Sequence, residues 1–553
     1  MRPYHLMLKR RSFLRGGAAA AAAASLPLVF SYHRTARADY GALVPDPEGI
    51  LDLPAGFTYT IVSQTGDTMT DGYRVPGAPD AMGAFPGPNN TVVLMCNHEL
   101  SPGSSDSPYN DGQDPPPEAY DEDAVGGVTR IVLDNDTLEI VSNNLVLVGT
   151  IRNCAGGVSP WGWLSCEENV DDGHGYVFLC KTDAETVQMP ERIVGYGRCN
   201  HEAACVDPDT FHAYLTEDRG DSCLYRFVPN DKADPFTGKL QALKVVGQDD
   251  FATTTMDVSE IVDCEWVDID EPDPAVDILR IEAQGKGAAI FVRGEGIWWF
   301  EGAVYVCSTS GGPADGGQIF RLIDGPNGAT LELIGRSDDK DLLDMPDNIC
   351  VAPWGEVFMA EDGDGDNYVR VLAPTGEIYD FARNAQSDSE FAGVCFSPDG
   401  KTMFVNIQGD GITLAVRGPF PEVEQPGTTG DDTTGGDDTT SGGDDTTSDG
   451  STGDAPTTSA GTAGGTEGDT GDPTTGGAPT SDGPSTSDGA TDSSGGDTDS
   501  GGAGGDPAGC SCDADAGNPA LDLALAAAGV AVLRSVTRPA PLDAEREPSE
   551  QSS

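Results

Sequence analysis

Apolar positions along this chain come in short runs broken by turns, with almost no helical periodicity. That pattern predicts strands. One unit recurs: "VSPWGWLSCEEN", "VDPDTFHAYLTEDRGDSCLYRF", "VAPWGEVFMAEDGDGDNYVRVL" and "FSPDGKTMFVNIQGDGITLAV". Each is a turn with a proline, then an apolar strand, then a polar or acidic strand end. The prolines are Pro160, Pro208, Pro353 and Pro398, and the wide gap holds a further copy, "EGAVYVCSTSGG". A period of about 47 residues suits a four-stranded propeller blade. The body would hold about eight blades without insertions and six with long connections. The expected fold is all-β, a six-bladed β-propeller with long inter-strand insertions and a disordered acidic tail.

The repeat also sorts the acidic residues. Glu167-Glu168, Glu217-Asp218 and Glu361-Asp362 fall at the same point of their units. Equivalent positions of a propeller surround one channel, so these carboxylates would converge. Crowded carboxylates raise one another's pKa unless a cation joins them, and several oxygen donors suit Ca²⁺.

Both ends stand apart from this pattern. Residues 1–38 carry Arg10 and Arg11, an Ala-rich apolar run and an Ala36-Arg37-Ala38 cleavage site, the features of a twin-arginine (Tat) export signal. Residues 421–509 are Gly, Thr, Ser, Asp and Pro without Lys or Arg, a composition for a disordered, self-repelling spacer. Residues 510–553 place Cys510 and Cys512 before a weakly apolar run and Arg534 and Arg538. That segment resembles the C-terminal sorting tags of myxobacterial surface proteins. The expected partners are therefore the Tat translocase and a C-terminal sorting machinery. The expected location is periplasmic, anchored at the outer surface, or extracellular.

Residues 39–420 form the functional body. The whole chain carries −61; taking away the leader (+7), the spacer (−19) and the last segment (−4) leaves −45 on the body. Such a surface excludes nucleic acid as a partner. The body also holds eleven of the 13 cysteines. An odd count in an exported protein points to at least one thiol with a role other than pairing.

"CNHE" occurs twice, at Cys96–Glu99 and Cys199–Glu202, and each copy has the side chains of a metal site. "DGDGDN" at Asp362–Asn367 imitates an EF-hand, but its twelfth position is Ala373, where a bidentate Glu is required. A propeller turn fits better. "STSGG" at Ser308–Gly312 has no His in a recognisable relation to it, so a nucleophilic serine is not indicated.

Along "GGVTRI", "NCAGGVSPWGWLSCEEN", "HEA", "YLTEDRGDSCLYRFVP", "FVRGEGIWW", "PDN" and "EFAGVCFSPDGKTMFVNIQ", the body resembles the PhoX family of exported bacterial alkaline phosphatases. The resemblance covers nearly the whole body. It implies hydrolysis of small-molecule phosphomonoesters by a monomer. It also implies a centre of two ferric ions (Fe³⁺) and three calcium ions (Ca²⁺) around a bridging oxo group. Attack would come from a metal-activated oxygen, with no protein nucleophile. On the same basis Cys154 is the iron thiolate, Glu295 a metal ligand, and Arg293 and Asn169 the phosphate contacts. Glu99, Glu167, Glu168, Glu202, Glu217 and Asp218 are candidates for the other ligands. His98 and His201 are expected to orient the carboxylate next to each. The family usually has Arg where Cys96 stands, a departure that would reduce or shift activity.

Two other readings fit parts of the sequence. One is a calcium-dependent propeller hydrolase of another class, such as a lactonase or phytase-like enzyme, in which Cys154 and Arg293-x-Glu295 would have no purpose. The other is a non-catalytic, calcium-stabilised surface propeller used for binding.

Overall fold

A computed structural model describes residues 40–422, Asn327 excepted. The expected export signal, nearly all of the acidic spacer and the C-terminal segment lie outside the described residues.

The chain runs through six antiparallel meanders. The first is Pro79–Pro86, Thr91–His98, Gly126–Asp134 and Ile140–Thr150; the second is Asn153–Ser159, Gly162–Glu167 and Val177–Cys180. His201–Val206, Ala213–Glu217, Tyr225–Asp231 and Asp234–Val245 make the third, and Gly294–Phe300, Ala303–Ser308, Gln318–Gly325 and Gly328–Arg336 the fourth. Ile261–Asp268 pairs with both and merges them into one nine-stranded sheet. The fifth, Pro346–Val351, Val357–Glu361, Tyr368–Leu372 and Ile378–Asn384, gains Leu51–Pro54 and Leu43–Val44 at its outer edge. The sixth is Phe391–Phe396, Thr402–Ile407 and Ile412–Arg417, completed by the early strand Thr58–Gln64. Among the described residues the α-helix is confined to Leu279–Gln284.

The fold is all-β and propeller-like, as the hydrophobic pattern predicts. Each meander's opening strand packs on the next one's, and the last returns to the first. That approach demands small residues. A Cβ on Gly157 would collide with the Ala204 carbonyl, and one on Gly393, at φ 67°, with the Asp80 carbonyl. Pro160, Pro208, Pro353 and Pro398 all stand in the turn between the first and second strands of their meanders, so the sequence repeat is in true structural phase. Apolar side chains fill the space between sheets; Phe358, Phe381 and Phe404 are wholly buried.

Every opening strand carries a register shift near its start: Pro79/Met82, Asn153/Gly156, His201/Ala204, Gly294/Ile297, Pro346/Ile349 and Ala392/Cys395. A bulge bends a strand and re-aims a side chain. The residues it re-aims here are those of the site.

The body's eleven cysteines are all buried and unpaired. The expectation that an exported chain pairs its thiols does not apply to the described residues. All but Cys154 sit inside sheets or between them, where an unpaired thiol packs as a small apolar group.

Candidate metal centre

Two positions are equivalent in every meander, and ten of the twelve residues at them line one cavity. The first is the second residue of the opening strand: Asp80, Cys154, Glu202, Glu295, Asp347 and Ala392. The other follows the end of the second strand: Glu99, Glu168, Asp218, Thr309, Asp362 and Gln408. Nine of these twelve positions bear a carboxylate or the Cys154 thiol. With Arg152, Arg293 and Glu390, and with Gln408, they line one cavity. A separate small cavity is lined mainly by apolar residues that follow the opening-strand positions in sequence, among them Ala81, Ala155, Ala203, Gly296 and Gly393.

Three groups bring ligand atoms within 4.8 Å of one another: Asp80, Glu99 and Cys154; Cys154, Glu168 and Glu202; and Glu202, Glu295 and Asp347. Cys154 and Glu202 each belong to two groups. The Cys154 Sγ lies 3.0 Å from Glu168 Oε2. Burial, followed by the neighbouring carboxylates, pushes Glu202, Asp80 and Asp347 well above the usual carboxylate range. Burial and then Asp218 do the same to Glu295. Asp362 is pushed up to about 6, again chiefly by burial. Cys154 is driven well above its ordinary value by burial and then by Glu168 and Glu99. A thiol and nine carboxylates cannot all ionise in one buried space beside only two arginines without further cations. The donor set, with Asp80 Oδ1 buried and lacking a hydrogen bond, fits metal binding.

Arg293 reaches into the cavity, its Nε 3.1 Å from Asp218 Oδ1 and its Nη2 3.1 Å from Glu295 Oε1. Arg152 lies 2.5 Å from Glu99 Oε1 and also pairs with Glu168.

Of the residues expected from the sequence, Cys154, Glu99, Glu168, Glu202, Asp218, Glu295 and Arg293 meet here. Glu167 and Glu217 do not. Strand alternation points them away from the axis into their own sheets. Glu167 accepts from the backbone N–H groups of Ile151 (3.0 Å), Gly175 (3.0 Å) and Tyr176 (3.3 Å), and meets His174 at 2.7 Å. Glu217 accepts from Tyr225 Oη at 2.7 Å and faces Arg280; burial raises it to about 7. Glu361 repeats the pattern with Arg370 and two backbone N–H groups. Asn169 follows Glu168, but its amide is folded onto Asp171 and does not line the cavity.

The histidines of the two CNHE copies do not touch the adjacent carboxylates. His98 bonds to the Gly77 carbonyl and Thr129, and His201 to the Gly197 carbonyl; burial lowers both to about 4. They are neutral struts behind the cavity wall. Cys96 is 1 % exposed in the apolar core beside Asn406, and Cys199 is wholly buried; neither lines the cavity.

Sequence reasoning missed Asp80, Arg152, Asp347, Glu390 and Gln408, whereas Asp362, which the repeat places at the channel, does line the cavity. A signal existed for two of them: "PDA" and "PDN" repeat a Pro-Asp pair, Pro79-Asp80 and Pro346-Asp347, at one register.

The family model for alkaline phosphatase PhoX matches residues 38–146 and 136–411. No curated protein matches the chain. Among solved structures, Pseudomonas fluorescens PhoX in complex with vanadate, a transition-state analogue, aligns with a TM-score of 0.53 and 19% identity, over 67% of this chain and 96% of that one. It is a likeness of fold. A gluconolactonase from Xanthomonas campestris aligns at a TM-score of 0.35 and 14% identity, over 68% of this chain and 98% of that one, too distant to carry an argument. The family match spans most of the body. The chain belongs to the PhoX family of alkaline phosphatases and is a phosphomonoesterase.

Proposed function

We propose that the chain releases inorganic phosphate from organic phosphomonoesters in the axial cavity of a six-bladed propeller, using two ferric and three calcium ions. The observation that carries this reading is the convergence of Cys154, nine carboxylates and two arginines on one buried cavity. The closed ring of six opening strands supports the blade count. The thiol supports iron in the group Cys154–Glu168–Glu202, and the all-oxygen group Glu202–Glu295–Asp347 supports calcium.

Bound there, these cations supply Lewis-acid stabilisation of charge on the phosphoryl group. The chain's own part is to hold and aim. The bulges fix the carboxylates toward the axis, and burial removes competing water. Arg293 offers a planar fork of N–H donors that matches phosphoryl oxygens. Asn169 can join it only by leaving Asp171. A body at −45 repels a phosphate dianion, so the cations must reverse the local sign for substrate to enter. The twin arginines and cleavage site support Tat export, and the terminal cysteine segment supports surface sorting.

The test is hydrolysis of p-nitrophenyl phosphate at alkaline pH by residues 39–420 exported through Tat, with calcium and then with a chelator, and with iron assayed on the same sample. Calcium-dependent turnover with about two irons per chain is expected from the family resemblance and the donor softness. A folded protein with calcium but neither iron nor turnover overturns the reading.

A further inference from the structure

Arg152 has no part in the reading above, yet it occupies the same place as Arg293. Each arginine stands one residue before an opening strand, Arg152 before Asn153–Ser159 and Arg293 before Gly294–Phe300. Each precedes an axial ligand candidate by two residues, Arg152-Asn153-Cys154 and Arg293-Gly294-Glu295. Each has a left-handed backbone, at φ 49° and φ 50°. Non-glycine residues adopt that conformation rarely, and it persists where surrounding structure enforces it. Both side chains line the cavity, and they come from the second and fourth meanders, on either side of the third with Glu202 and Asp218.

We propose that Arg152 is a second phosphoryl-contacting arginine, which grips the substrate together with Arg293. The inference rests on the phosphatase reading. The guanidinium of Arg152 now pairs with Glu99 and Glu168, and that of Arg293 with Asp218 and Glu295. All four carboxylates belong to the cation-binding set. Once cations take those oxygens, the donors of both forks turn to the anion that the cations attract. A guanidinium holds two phosphoryl oxygens at once, which an ammonium cannot. Two forks, one from each meander flanking the third, would fix the phosphoryl group in one orientation. The alternative role for Arg152 is structural, neutralising Glu99 and Glu168 so that the cluster can form.

The test uses the full metal-loaded chain. Inorganic phosphate is titrated calorimetrically into wild type, R152A, R152K and R293A. Iron and calcium are assayed on each, and kcat and KM are measured with p-nitrophenyl phosphate. R152A is expected to weaken phosphate binding about tenfold or more and raise KM in step, with metals retained. R152K should recover only part of the loss. Should R152A fold poorly, R152Q, which removes the charge and the fork but keeps a polar side chain able to hydrogen-bond its neighbours, carries the same comparison. Phosphate affinity within twofold of wild type with metals intact overturns the proposal, as does loss of metal in both R152A and R152K. A wild type that binds phosphate through Arg152 but does not turn over refutes the phosphatase reading and leaves the contact standing.

Discussion

Glu167 and Glu168 are neighbours with opposite occupations, and so are Glu217 and Asp218, and Glu361 and Asp362. The first of each pair ends a strand, faces into its own sheet and is satisfied there by backbone N–H groups, a tyrosine, a histidine or an arginine. The second stands one residue on and faces the axis with other acids. One residue of strand alternation separates a sheet-facing acid from a cavity-lining one. An acidic dipeptide therefore does not deliver both its carboxylates to the cavity, even when it repeats in phase.

The comparison can be broken in four ways. The axial member with most at stake is Glu202, shared by two ligand groups. Glu202→Gln is expected to lower kcat/KM by a factor on the order of 10³ and to reduce metal content, read by kinetics and elemental analysis. Next is Arg293→Ala, for which kcat/KM should fall by about 10²–10³ with metal content unchanged, because one charged donor is lost and no ligand. Parallel loss of metal would make Arg293 a prop for Asp218 and Glu295.

Chelation should follow. In the metal-free chain Asp80, Glu202, Glu295 and Asp347 have raised folded pKa values, so their protonated forms are favoured on folding. Their stabilising contribution is then present at low pH and lost as pH rises through the folded pKa. The fall in melting temperature on chelation should therefore be larger at pH 8 than at pH 5. An equal fall at both would mean that the acids are not crowded without metal.

The smallest effect on turnover should come from the sheet-facing partner. Glu167→Gln cannot satisfy the same donors, so the fold should lose about 1–3 kcal/mol in denaturant melts. Metals should be retained and kcat changed by less than about tenfold, below the roughly 10–100-fold loss usual for the outer partners of a metal site. Loss of metal would put Glu167 back among the ligands.

Much of this was legible in the sequence because it is periodic. Turn prolines, apolar strands and acidic ends recur at one spacing, so the all-β repeat and the convergence of Glu168, Asp218 and Asp362 follow from counting. Cys154, Glu295 and Arg293 needed the family resemblance. Three things could not be read. Facing depends on the last residue of each second strand, which sequence places only within a residue or two. The opening-strand bulges that bring Asp80 and Asp347 to the cavity leave no compositional mark, so the repeated Pro-Asp pair hinted at these residues without saying where they point. Gln408 and Glu390 reach the cavity only because the ring closes, a contact between distant parts of the chain. The histidines misled for a related reason: His98 and His201 sit beside ligands in sequence, but a strand turns them to the opposite face.

The early strand Thr58–Gln64 completes the last meander, with Ile412 opposite Gln64 and Arg417 opposite Thr58. At the cavity, Gln408 Nε2 donates to Asp80 Oδ2 and Glu99 Oε2, each at 2.9 Å. Bringing together segments some 330 residues apart is entropically costly and comes late in folding. A nascent or truncated chain lacking the last meander has Asp80 and Glu99 but not their partners, and its ring stays open. On the proposed reading a full set of cavity donors waits on the last meander, so a chain that stops short of Arg417 cannot carry a finished centre.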